Sequence, residues 1–188
     1  MTRLWALFAG LMLLTAQVMA EPVNAVERLH TGLLAAMQLE THSEREAHLR
    51  PIIADVFDHR RIAGISLGRA WRDLSAQQRT EFEEKLLELV VATYADRFDN
   101  FNGQQFVTDG VQAVKNNVVV QTRLERVDAD DVKLDYILRD GRVFNVVADG
   151  VSDLSLRRAD YNSIIKQEGY DSLLEHLAEK TAAARADG

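Results

Sequence analysis

The period of the apolar residues changes half-way along this chain. Up to about Asn100 they recur every three or four positions, which gathers one face of a helix. Between residues 106 and 148 they recur mainly every second position, as in strands with one wet face. Helices first and a run of strands second direct the chain away from alternating βαβ units and toward an α+β plan.

Val23, Val26, Leu29, Leu33, Leu34 and Met37 give residues 23–40 a helical stripe. Ser43-Glu44-Arg45-Glu46 has the form of a capping box, in which a hydroxyl and a carboxylate each satisfy an orphan backbone N–H. It opens a helix to about Val56, with Pro51 marking a bend or a break. Asp58 is a cap for a short helix through Ile65, closed by Leu67-Gly68. Ser75-Ala76-Gln77-Gln78 is a second box and opens the longest helix, to about Asn100. Phe82, Leu86, Leu89, Val90, Thr93 and Phe98 form its stripe, widened by Leu87, Val91 and Tyr94. From Leu86 to Ala95 Glu88 alone is charged, so this segment is expected to be enclosed on several sides.

Residues 106–111, 117–124, 132–139 and 142–148 read as strands. Asp128-Ala129-Asp130-Asp131 and the hairpin dipeptide Asp140-Gly141 read as turns between them. A fifth strand is expected over 150–156, then helices over 160–168 and 171–180 with Gly169 as the stop between them. The simplest packing curls a four- or five-stranded antiparallel sheet around the longest helix, as a cone open at its wide end.

The ends and the composition restrict function. Met1-Thr2-Arg3, a short apolar run from Leu4 to Leu14 and Val18-Met19-Ala20 form the three parts of a secretory signal, and the run is too short to span a bilayer. Residues 21–188 are then expected to be one domain. The chain has 22 Lys and Arg against 29 Asp and Glu, a net charge of −7, and loss of Arg3 with the signal makes it −8. Such a surface disfavours nucleic acid and anionic bilayers as partners. With no cysteine there is no disulfide, no thiolate metal site and no acylated anchor. The expected location is the periplasm, unanchored.

Catalytic signals are weak. His30, His42, His48, His59 and His176 form no metal-ligand spacing and read as surface histidines. Gly64-Ile65-Ser66-Leu67-Gly68 has the letters of a nucleophile elbow but follows a helical segment instead of a strand. No glycine-rich phosphate loop is present. Asp128, Asp130 and Asp131 lack the rest of a calcium loop, and Asp149 beside Gly150 reads as a turn residue. No catalytic residue, metal or cofactor is expected. What remains is an apolar surplus, which fits either a filled core or an internal cavity for an apolar ligand; periodicity does not separate the two.

An ordered series of fragments supplies a further reading: Asp55-Val56-Phe57-Asp58, Leu67-Gly68-Arg69-Ala70-Trp71, Ser75 to Phe82, Ala92-Thr93-Tyr94-Ala95, Asp135-Tyr136, Gly150-Val151-Ser152, Tyr161 to Ile165, and Gly169 to Leu174. Over about residues 25–180 the chain resembles the MlaC-type family, known also as toluene-tolerance or ABC-transporter auxiliary proteins. The resemblance implies a periplasmic phospholipid carrier that passes lipid between an outer-membrane lipoprotein complex and an inner-membrane ABC transporter, both docked transiently by a monomer. It implies a nuclear-transport-factor-2-like cone with an added helical subdomain, holding acyl chains between helices and sheet. On that basis Phe57, Ile62, Ile65, Trp71, Leu86, Val90, Tyr94 and Phe98 are expected to line the helical wall. Tyr136, Phe144, Val146, Val151 and Leu154 are expected to line the sheet wall, and Tyr161 and Ile165 to close the mouth. The stretch Asp149 to Arg158 also resembles a branch associated with hopanoid synthesis, which implies a hopanoid-associated cargo instead. A small cone-fold isomerase or dehydratase and a non-carrier adaptor stand as the other classes.

Exported protein is expected to begin at Glu21. Its intact mass checks this directly, and a chain that keeps residues 1–20 after export would refute the cleaved signal.

Overall fold

The computed structural model describes residues 21–186, so the expected signal segment lies outside the described residues. A first helix, α1, covers 21–36 of these. The start of the second is set by Thr41, whose hydroxyl accepts the Glu44 N–H while the Glu44 carboxylate accepts the Thr41 N–H at 3.0 Å. This box opens α2 (His42–Val56). It sits two residues before the expected box at Ser43, because Glu44 closes on Thr41 while Glu46, the partner expected for Ser43, pairs with His42 and Arg185 instead. Pro51 lies inside α2 without ending it.

Asp58 caps α3 (His59–Leu67) by accepting the Arg61 N–H, and Gly68 ends it with φ 57°. One helical turn, α4 (Ala70–Asp73), leads to Ser75 and Gln78, whose reciprocal bonds open α5 (Ala76–Arg97) as the spacing predicts. The buried Arg45 guanidinium then ties the start of α2 to the far end of α5, donating to the Ala95 carbonyl at 2.8 Å.

Five strands follow as an antiparallel meander: β1 (Gln105–Val114), β2 (Asn117–Glu125), β3 (Val132–Arg139), β4 (Arg142–Ala148) and β5 (Val151–Ser152). Asp140 and Gly141 turn the β3–β4 hairpin, both at positive φ. The register slips at Asp109 in β1 and at Phe144 in β4, where one extra residue stands against the partner strand. Such bulges bend and twist a strand, which curls this sheet. Past the short β5, the edge of β4 is covered by Phe57, and the Asp58 N–H donates to the Val143 carbonyl at 2.8 Å.

The fifth strand is shorter than expected, for a reason local to two side chains. The Ser152 hydroxyl accepts the Ser155 N–H, and Asn145 Oδ1 accepts the Leu154 N–H at 3.1 Å. These bonds start α6 (Asp153–Glu168) ahead of the expected Asp160. Gly169, at φ 94°, separates it from α7 (Tyr170–Ala186), which runs past the expected end at Lys180.

Helices α2, α5 and α7 pack as one layer, α3 packs on α6, and α6 reaches the sheet through β4. The core is continuous through Leu29, Leu33, Leu49, Ile53, Phe82, Leu86, Val91, Leu173 and Leu177, all fully buried. Among the described residues no helix is long and apolar enough to cross a membrane. The architecture is the α+β arrangement of helices and a curved, open antiparallel sheet.

Leu86→Ala removes a fully buried side chain and is expected to cost about 2–5 kcal/mol in chemical denaturation. Leu156→Ala, on a residue that is 60% exposed, is expected to change stability by no more than about 0.5 kcal/mol.

Candidate functional site

Between α5 and the curved sheet the side chains do not meet, and a cavity of about 500 Å³ remains. Helix α5 contributes Val90, Thr93 and Tyr94, and Phe98 follows at its C-terminal cap; β3 contributes Val132, Leu134 and Tyr136; β4 contributes Phe144, Val146 and Ala148. Phe57 and Ile62 close one side, and Val151, Leu154 and Leu156 another. The β3 residues line it because alternate positions share one face of a strand. The extra residue of the β4 bulge is Phe144, so the kink that curves the sheet also places an aromatic ring on the cavity wall.

Aromatic rings hold this wall in place. Phe57 meets Tyr94 edge-on at 5.9 Å, Tyr94 stacks on Phe98 at 5.8 Å, and Phe98 meets Phe106 at 6.2 Å. Phe106 stacks on His30 with centroids 3.9 Å apart, and His30 Nε2 lies 3.1 Å from the Tyr136 hydroxyl. Burial raises the pKa of the Tyr94 and Tyr136 phenols, so both stay neutral.

Polar groups collect where the first turn of α6 borders the cavity. Arg157 donates to Asp153 at 2.7 Å and to the Tyr161 hydroxyl at 3.1 Å. Burial works against its charge, but Tyr161 and Asp153 outweigh that effect and Arg157 remains a cation. Arg97 and Arg126 also border the space, while Val151 and Leu156 are more than half exposed beside it. The arrangement can hold an apolar chain inside and a polar end near these arginines.

A family model described as MlaC protein matches residues 27–179. The chain belongs to the MlaC family. It is 24% identical over 125 residues to the intermembrane phospholipid transport system binding protein MlaC of Haemophilus influenzae, a stretch covering 62% of this chain and 58% of that protein. The chain thus aligns with less than two thirds of that relative's length. The fold is similar to the solved structure of a phospholipid-binding protein from Ralstonia solanacearum in complex with a phospholipid. The TM-score is 0.75 at 20% identity, over 88% of this chain and 97% of that one. At that identity the likeness establishes the fold.

Of the residues expected at a lipid site in this MlaC-family chain, Phe57, Ile62, Val90, Tyr94, Phe98, Tyr136, Phe144, Val146, Val151 and Leu154 converge on the cavity. Five others do not. Leu86 is fully buried in the packed core. Tyr161 is a core plug instead of a mouth residue, its ring edge-on to Phe82 at 5.9 Å. Ile165 packs against the core from later in α6, of which the stretch from Asp153 to Arg157 borders the cavity. Ile65 and Trp71 line a separate groove on a neighbouring face of α3 and α4. Leu124, Val132 and Leu134 also line the cavity; the last two alternate along β3 with Tyr136 and share its face. Arg97, Arg126 and Arg157 carried no periodic signal.

The histidines depart from expectation. His30 is buried, and His42, His48 and His59 each bond an internal carbonyl, at 3.1–3.2 Å. Their rings find partners that only packing brings near, such as the Ala92 carbonyl for His42 and the Gly32 carbonyl for His48. Among the described residues no group of three metal-ligating side chains comes together. Ser66 lies within α3 and donates to the Ile62 carbonyl, so the elbow-like letters are helix. Asp149 holds a turn by accepting the Lys133 N–H at 2.9 Å.

Burial lowers the His30 pKa from 6.5 to about 4 and also lowers that of His59. A base with a depressed folded pKa contributes its full stability above the unfolded value and loses it as pH falls through the folded value. Stability is therefore expected to drop by roughly 1.5 kcal/mol or more between about pH 6.5 and 5. Denaturation curves across that range check it, and His30→Gln should flatten the slope without abolishing the His59 contribution.

Proposed function

We propose that this chain is a periplasmic lipid carrier, with acyl chains held in the cavity between α5 and the sheet. The cavity itself carries the reading: about 500 Å³, lined mainly by aliphatic and aromatic groups. That size lies within the ~300–1,000 Å³ of ordinary ligand sites. The family, the phospholipid-transport name of the Haemophilus relative and the phospholipid in the Ralstonia structure all support it.

A phospholipid buries about 30 methylenes, each worth about 0.8 kcal/mol, so bare transfer through water faces roughly 20 kcal/mol or more. The cavity offsets part of this barrier, in proportion to the methylenes it encloses, while the scarcity of fixed polar contacts deep inside leaves release feasible. The headgroup lies in water near Arg97, Arg126 and Arg157. In this reading the mature chain, residues 21–188, is a single carrier domain. It moves phospholipid between an outer-membrane lipoprotein complex and an inner-membrane ABC transporter, docking with each transiently. Fifteen residues were expected at the site; the ten that meet in the cavity are proposed as contacts, and the other five are not.

A catalytic role would require an acid–base pair open to the cavity. The phenols on its wall, Tyr94 and Tyr136, are held neutral by burial, as is His30, to which Tyr136 is bonded, and Arg157 is paired with Asp153.

Solvent extraction of the purified protein followed by mass spectrometry is expected to recover lipid, and its class distinguishes glycerophospholipid from hopanoid-type cargo. Val146→Trp fills the cavity and should lower the recovered lipid at least severalfold. Val127→Trp, at an exposed site, should leave it unchanged. A folded protein that yields no lipid would refute the carrier.

A further inference from the structure

One concave surface on this acidic chain carries four arginines and no carboxylate. Arg61, Arg69, Arg72 and Arg158 line a groove of about 630 Å³ between α3, α4 and α6, with Trp71 and Ile65 as its apolar wall. Arg61 is already paired, with Asp58 at 2.9 Å and Asp140 at 3.2 Å. Arg69, Arg72 and Arg158 are exposed and form no ion pair among the described residues. On the sheet, by contrast, Arg123 is flanked by Asp109, Glu125 and Asp131.

The groove is built in advance. The Trp71 ring lies against Gly64, where an added Cβ would sit 3.4 Å from it. The Arg79 guanidinium lies over the ring, 5.4 Å from its centroid. Arg79 also donates to the Trp71 and Arg72 carbonyls, each at 3.0 Å, which fixes α4. Gly68 leaves room for Arg158, whose Nη2 would be 3.7 Å from a Cβ there.

Three uncompensated guanidiniums around a fixed indole suit carboxylates, which they bind in forked pairs, together with an apolar side chain. The volume is about twenty times the ~30 Å³ share of one water, far more than a single phosphate fills. A bilayer is a poor match, because the exposed large apolar side chains, Phe101, Val111, Val114, Val127, Val151 and Leu156, lie outside the groove. We propose that this groove docks an acidic peptide segment of a partner protein, with carboxylates on Arg69, Arg72 and Arg158 and an aliphatic side chain against Trp71 and Ile65. The overall charge points to basic partners, and the groove reverses that sign locally. It also adjoins the cavity, since Arg61 lies over the Phe144 ring at 5.9 Å, so a partner held here sits beside the lipid site.

The tryptophans are Trp5 and Trp71, so the full-length gene carrying Trp5→Phe leaves Trp71 as sole reporter whether or not the leader is removed. The probe is a fluorescein-labelled peptide of Glu and Leu, followed both by anisotropy and, unlabelled, by Trp71 emission. Saturable binding that shifts the emission is expected. It should weaken on the order of tenfold in Arg69→Gln/Arg72→Gln/Arg158→Gln and on raising salt to ~0.3 M. The single variants Arg69→Gln and Arg158→Gln, expected to weaken it less, serve if the triple variant fails to fold by circular dichroism. The proposal is overturned if the peptide does not bind, if the Gln-for-Glu peptide binds equally, or if binding leaves Trp71 and the arginine variants unaffected. It is likewise overturned if inorganic phosphate alone or phosphatidylglycerol vesicles produce the same response, which would assign the groove to a small oxyanion or to a membrane.

Discussion

The structure depends on a relay of aromatic rings that joins its separate parts. From Phe57 at the α2–α3 junction it passes through Tyr94 and Phe98 at the end of α5, Phe106 on β1 and His30 on α1, to Tyr136 on β3. Rings are stiff and need large, well-shaped contacts. Set between the longest helix and a sheet curved by two bulges, they hold the two layers in register without filling the space between them. The cavity is what that spacing leaves, and its wall is as fixed as the rings that make it.

Electrostatics follow from how this scaffold distributes its arginines. Arg45 and Arg79 spend their charge on backbone carbonyls and act as structural clamps. Arg157 is held by Asp153 and Tyr161 at the cavity edge. Arg69, Arg72 and Arg158 keep theirs for solvent, around an indole that Arg79 immobilises. A chain that is acidic as a whole therefore presents a concave basic surface next to its apolar cavity. The two adjoin because α3 and α6 each contribute to both, Ile62 and Ile65 from one, Arg157 and Arg158 from the other.

Much of this was legible where the signal is short in sequence. Asp58, Ser75 and Gly68 act as the caps and stop that their spacing predicts, and Asp140-Gly141 turns its hairpin. The strand over 150–156 failed because Asn145, on the previous strand, supplies an acceptor that starts a helix at Asp153. The surface reading of His30 failed because its partners, Phe106 and Tyr136, come from the other half of the chain. Leu86 and Val90 belong to one apolar stripe one turn apart, yet the first is in the filled core and the second faces the cavity.

By itself, then, the sequence determined the α+β class, the order of the elements, most of their ends and the apolar faces they would bury. Those follow from period, caps and turns, which act over a few residues. Only the tertiary structure decided which apolar residues touch one another and which face empty space. It also decided which arginines find a carboxylate and that Trp71 belongs to a groove instead of the cavity. These outcomes depend on how far apart two packed layers stand, a distance set by contacts among residues remote in sequence.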